Sequence, residues 1–186
     1  MTTTGIVILI CVVVAIAVVA MVFLRKRRTQ ALRSHFGPEY QHAVREYGGQ
    51  SKAEEALLAR QKRREKLHIH PLSDVEKEHF SAKWHEVQAR FVDDPPASIR
   101  EADTLVTEAM LARGYPMTEF DHRAEDLSVD HPQEVKNYRA AHEIAQRQNK
   151  GEANTEDLRR ALVYYRELFD DLLDVHHPVG SQGGRR

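Results

Sequence analysis

The sequence predicts an all-α protein with an N-terminal transmembrane helix, a basic helical stalk and a small antiparallel helical bundle. Three observations predict it. Ile6–Leu24 is apolar over 19 residues and gives way at once to four cations, Arg25, Lys26, Arg27 and Arg28. Beyond them, apolar residues recur at spacings of three and four, the period of a helix with one buried face. Ser, Asp, Asn and Pro precede these stretches and Gly follows several of them, as expected of helix starts and stops.

The apolar run, as a helix, covers about 28 Å, close to one hydrocarbon core. A secretory signal differs from it: such a signal has a cationic start, an apolar centre of roughly 7–15 residues and a small-residue cleavage site after that centre. Here the start is "MTTTG", and the A-x-A pattern at Ala15 and Ala17 lies inside the run. Lys and Arg flanking a span tend to stay in the cytoplasm. The expectation is a single uncleaved span in the cell (inner) membrane, with residues 1–5 outside and the rest of the chain in the cytoplasm. The alternative is secretion after cleavage of the run as a signal. The single cysteine, Cys11, lies within the run, so the chain can form no intramolecular disulfide.

Charge divides the remainder of the chain in two. Residues 25–66 hold 12 Lys or Arg against 5 Asp or Glu, a net of +7, and residues 67–186 hold 15 against 23, a net of −8. The near-neutral total hides an asymmetry that speaks of surfaces and partners. The expected organisation is a span at 6–24, a basic juxtamembrane stalk at 25–71, an acidic bundle at 72–175 and a flexible tail at 176–186.

Each helix has its own signals. "GPEYQHAVREYGG" places Pro38 in a first turn and stops at Gly48-Gly49, with Tyr40, Val44 and Tyr47 on one face. "SKAEEALLARQKRREK" has Ser51 and Glu54 at capping-box spacing. "SDVEKEHFSAKWHEVQARF" repeats that spacing with Ser73 and Glu76, and its face is Phe80, Trp84, Val87 and Phe91. "DPPASIREADTLVTEAMLARG" starts at Asp94 and Pro95, ends at Gly114, and carries Ile99, Ala102, Leu105, Val106, Ala109 and Met110. A short helix comes next in "TEFDHRAEDL". The one after it is carried by Val135, Tyr138, His142 and Ala145. The last, "NTEDLRRALVYYRELFDDLLDV", has the widest stripe: Leu158, Ala161, Leu162, Tyr165, Leu168, Phe169 and Leu172.

The stretches "HFGPEYQHAV", "QARFVDDP", "ARGYP" and "DLSVDHPQEVKNYRAAH" resemble those of a group of small bacterial proteins that have an N-terminal apolar segment, whether single-pass or secreted, and a helical body. The likeness runs from about Phe36 to Leu172. It implies a bacterial source and an all-helical body. No activity is established for that group, so it carries no functional residue across.

Candidate chemistry is sparse. His68 and His70 of "HIH" fall on one side of an extended segment, a possible ligand pair to which His176 and His177 could add. A zinc site needs three or four converging ligands. His142, on an apolar face, reads as a buried hydrogen-bonded imidazole. Glu167, Asp170, Asp171 and Asp174 crowd the end of the last helix, where the macrodipole disfavours anions. Compensation is expected from Arg or Lys on adjacent helices, or from a basic partner protein docking there. Arg25, Lys26, Arg27 and Arg28, with Arg60, Arg63 and Arg64 of "ARQKRREK", are the expected membrane-surface residues, attracted by anionic lipid head groups. The second block lacks interleaved aromatics and the larger domain is acidic, which argues against nucleic acid. No phosphate-cradling loop, nucleophile elbow or catalytic cysteine occurs, and no cofactor is implied. The expected role is a membrane-anchored helical binding or scaffold module, with self-association open to it. The alternatives are a metal-binding regulator or metal-dependent enzyme using His68 and His70, and a membrane-tethered nucleic-acid-binding regulator.

Overall fold

The structure is a computed structural model that describes residues 3–174, with side chains described from Cys11. Among the described residues there are eight α-helices and no strand: α1 Thr3–Phe36, α2 Pro38–Glu46, α3 Gln50–Arg64, α4 Asp74–Arg90, α5 Pro95–Ala112, α6 Phe120–Asp130, α7 Glu134–Asn149 and α8 Thr155–Leu172. The expected tail at 176–186, with His176 and His177, lies outside the described residues. So do the side chains of Ile6–Ile10 at the start of the expected span. No described helix is long and apolar enough to cross a membrane.

The chain divides into two compact units between Leu57 and Leu58, a boundary that falls inside α3 and well before residue 72. In the first unit, α1 continues past the cations for a further two turns, so that the run and the start of the stalk are one helix. α2 packs on α1. Leu32, Phe36, Tyr40, Ala43, Ala53 and Leu57 are buried. The predicted Ser51–Glu54 capping box does not form. α3 starts one residue earlier, at Gln50, which puts Ser51 inside the helix. The Glu54 carboxylate is taken by two distant donors, Thr29 Oγ1 at 2.8 Å and Tyr40 Oη at 2.9 Å, and by Gln50 Nε2 one turn back at 2.9 Å. Burial works against its charge, but those hydrogen bonds and the nearby Arg28 outweigh it and hold the carboxyl below its ordinary range.

The second unit is a bundle. α7 packs on α8, α8 on α5, α5 on α4, and α6 on α7. Its helix ends obey local chemistry. Ser73 caps α4 in a capping box with Glu76, Asp94 caps α5 by accepting from the Ala97 N–H, and Asn154 caps α8 in a box with Asp157. The apolar stripes meet in one core. Trp84 of α4 stacks on Phe169 of α8 at 4.7 Å between ring centroids, and Phe80 meets the same ring edge-on at 6.5 Å. All six residues expected on the α5 face are buried. On α7 the buried face is Val135, Tyr138, Ala141 and Ile144, with His142 and Ala145 at its margin. Gly114 (φ +96°) closes α5 against the segment before α4. A Cβ there would lie 2.4 Å from the main-chain oxygen of His68, so this position admits only glycine.

Candidate functional sites

The α1 cations, Arg25, Lys26, Arg27 and Arg28, are all exposed. They come directly after Val12–Leu24, whose large apolar side chains are exposed as well, from 48% at Val22 to 69% at Val19. Helical spacing spreads Arg25–Arg28 around the axis rather than along one stripe. The Arg27 guanidinium covers the Phe23 ring at 4.5 Å, and that of Arg33 lies over the Tyr40 ring at 5.2 Å. Arg25 and Arg28 also border an open groove of about 600 Å³, together with Thr29, Gln50, Ser51, Glu54 and Glu55. Its two arginines face two carboxylates, so the groove itself is balanced in charge.

The second basic block behaves differently: its arginines pair with carboxylates of α6. Arg60 is 1% exposed and pairs with Glu125 at 3.2 Å. Arg63 is bidentate across α6, reaching Glu125 Oε2 at 2.7 Å and Asp126 Oδ1 at 2.7 Å, and Arg64 pairs with Asp130. Burial tends to lower the Arg63 pKa, but the two carboxylates outweigh this and raise it. Three cations that the sequence offers to lipid are thus matched by acidic residues on α6.

His68 and His70 are exposed, and among the described residues they are in no group of three or more ligand-type side chains. The main-chain N–H of His70 donates to the Arg113 oxygen at 2.9 Å, so the segment ties down the end of α5. The carboxylates at the end of α8 each have an explanation inside the bundle. Asn137 donates to Glu167, Arg166 pairs with Asp170 at 3.2 Å, His131 shares a hydrogen bond with Asp171, and Lys77 lies 3.8 Å from Asp174. Arg113 Nη1 donates to the Leu172 main-chain oxygen at 2.9 Å. Cationic compensation comes in part from neighbouring elements, through Lys77 and Arg113, and in part from Arg166 within α8.

Two groupings escaped the sequence reading. One is a buried polar cluster: Asp103 and Thr107 of α5, Arg123 of α6, Tyr138 and His142 of α7, and Tyr165 of α8. Burial, and after it the Asp103 charge, pushes Tyr138 up to about 12 and raises Tyr165 further. Arg123 and Thr107 stand near the Tyr138 hydroxyl and Asp103 near that of Tyr165, yet neither hydroxyl makes a hydrogen bond of ordinary geometry. His142 stacks on Phe120 at 3.5 Å and meets the Gln146 amide at 2.8 Å, and burial lowers its pKa. The other is His131, Glu134 and Asp171, whose ligand-type atoms all lie within 4.8 Å of one another. The signal for it was faint: a His and a Glu three apart, straddling a helix start.

No protein-family model, no curated protein and no solved structure matches this chain.

Proposed function

We propose that the chain is a membrane-anchored helical module whose α1 crosses the bilayer once, with Ile6–Leu24 in the hydrocarbon and Arg25–Arg28 at the head groups of the inner leaflet. On this reading the acidic bundle lies in the cytoplasm and serves as a binding or scaffold element. The observation that carries the reading is the described part of the run, Cys11–Leu24. It is helical, apolar on every side and exposed on every side. A helix of that kind needs an apolar surrounding, and four cations at its end suit an anionic leaflet. With Arg60, Arg63 and Arg64 engaged by α6, the lipid-facing charge reduces to the collar on α1.

The test is topological. The full chain should stay in membranes washed with alkaline carbonate. A phosphatase that works only outside the cytoplasm should be silent when fused after Arg186, whereas a fluorescent protein at the same place should light up. An active phosphatase, or a mature chain that starts near residue 20–30, would remove the proposal.

A further inference from the structure

We propose that His131, Glu134 and Asp171 bind one divalent transition-metal ion of the Zn²⁺ or Mn²⁺ class, which ties the end of α8 to the α6–α7 junction. The three side chains come from three places in the bundle. His131 lies just after α6, Glu134 is the first residue of α7, and Asp171 lies in the last turn of α8. The His131 backbone is fixed from both sides: its N–H donates to the Leu127 oxygen at 2.8 Å, and its own oxygen accepts from the Val135 N–H at 3.1 Å. Its side chain is 9% exposed, while Glu134 and Asp171 are half-buried at the mouth of the cluster.

The geometry suits one ion. Metal–nitrogen and metal–oxygen bonds of about 2.0–2.2 Å place two ligands of the same ion no more than about 4.3 Å apart. The three ligand atoms already lie within 4.8 Å, so small rotations of the two carboxylates complete the approach. The local charge suits a cation. Among the described residues no Lys or Arg pairs with Glu134 or Asp171. Asp171 also stands at the carbonyl end of α8, where the helix dipole disfavours a bare anion. One imidazole with two carboxylates is a donor set of intermediate hardness, better for Zn²⁺ or Mn²⁺ than for Mg²⁺.

The ion replaces the proton that His131 Nδ1 shares with Asp171, and that proton moves to Nε2. Nε2 is buried without a partner. Metal-bound histidines usually have such a partner, and its lack weakens binding by roughly 10–100-fold, so the affinity should be micromolar rather than nanomolar. The site differs in residues and in place from the His68–His70 pair.

The full chain, purified in a mild detergent and stripped with EDTA, would be titrated with Zn²⁺, Mn²⁺ and Mg²⁺ by calorimetry and followed by thermal melting. One Zn²⁺ or Mn²⁺ per chain and a raised Tm are expected, with little response to Mg²⁺. Glu134→Gln should weaken binding at least tenfold. It should lower the Tm in EDTA only slightly, by the small contribution of a carboxylate in the first turn of α7, because no other described side chain pairs with Glu134. Asp171→Asn should weaken binding as well, and where that variant unfolds, Glu134→Gln alone decides. A His68→Ala/His70→Ala double variant and a His176→Ala/His177→Ala double variant should bind as the parent does. Equal binding by Glu134→Gln and the parent, loss of binding in either histidine pair, or no binding at hundred-micromolar metal would each overturn the proposal and leave His131–Asp171 a plain hydrogen bond.

Discussion

Arg113 reaches across the bundle from the end of α5 and donates through Nη1 to the main-chain oxygen of Leu172, 2.9 Å away. The contact places a further cation at the carbonyl end of α8, where the dipole disfavours the carboxylates of Glu167, Asp170, Asp171 and Asp174. Arg113→Met keeps most of the stem and removes the charge. It should cost about 1–2 kcal/mol, from one charge-assisted hydrogen bond and the local field together. Urea denaturation of the full chain would read this. A loss no larger than that of exposed Lys62→Ala would show that the carboxylates need no help from Arg113.

Gly114 and Gly48 both have positive φ, +96° and +69°, but their surroundings differ. A Cβ on Gly48 meets nothing within 4 Å, whereas one on Gly114 falls 2.4 Å from the His68 oxygen. Gly48→Ala should cost about 1 kcal/mol, the ordinary left-handed penalty. Gly114→Ala should cost clearly more, because backbone strain of about 1–3 kcal/mol is joined by a main-chain clash. Equal thermal shifts for the two variants would mean that the segment before α4 does not lie on Gly114.

Arg60 and Lys62 stand two residues apart in the basic block and have opposite fates. Arg60 is buried against Glu125, and Lys62 is exposed. Removing one partner of a buried pair typically costs about 3–5 kcal/mol, since the other charge stays behind. Arg63 still reaches Glu125, which puts Arg60→Ala at the lower end of that range. Lys62→Ala should stay within about 0.5 kcal/mol of the parent. The same pair bears on lipid contact: if Arg60→Ala folds normally and only loses affinity for anionic vesicles, the docking on α6 is wrong and the block belongs to the membrane surface.

His142 supplies a pH dependence with a defined sign. Burial, aided by Arg123 and opposed by Asp103 and Asp121, holds its pKa below the ordinary 6.5. Above 6.5 the ring is neutral in both the folded and the unfolded chain and contributes no slope. As the pH falls through 6.5 the unfolded chain takes up the proton first, so stability is lost until the folded pKa is passed. His142→Phe, which keeps a ring against Phe120, should flatten the fall in Tm on acidification from about pH 7 towards the carboxylate range. Parallel profiles for the variant and the parent would show that this ring titrates as it does in the unfolded chain.

The class of fold and most helix ends are legible in the amino-acid order, because they depend on neighbours within one turn. The Ser73–Glu76 box, the Asp94 cap before Pro95, and the α5 and α8 stripes are all readable at spacings of three and four, and all are present. Local reading failed where a distant helix offered a better partner. Glu54 stands three residues after Ser51, as a capping box requires, but its carboxylate is taken by Thr29 and Tyr40. Arg60, Arg63 and Arg64 look like any solvated cationic face until α6, more than 60 residues further on, supplies Glu125, Asp126 and Asp130. Charge count along a helix is visible in the sequence; whether that charge faces water, lipid or a carboxylate is decided only by packing. The same holds for His131 and Asp171. They are 40 residues apart, on no common period, and meet only because the apolar faces of α7 and α8 bury each other and bring the end of one helix to the start of the other.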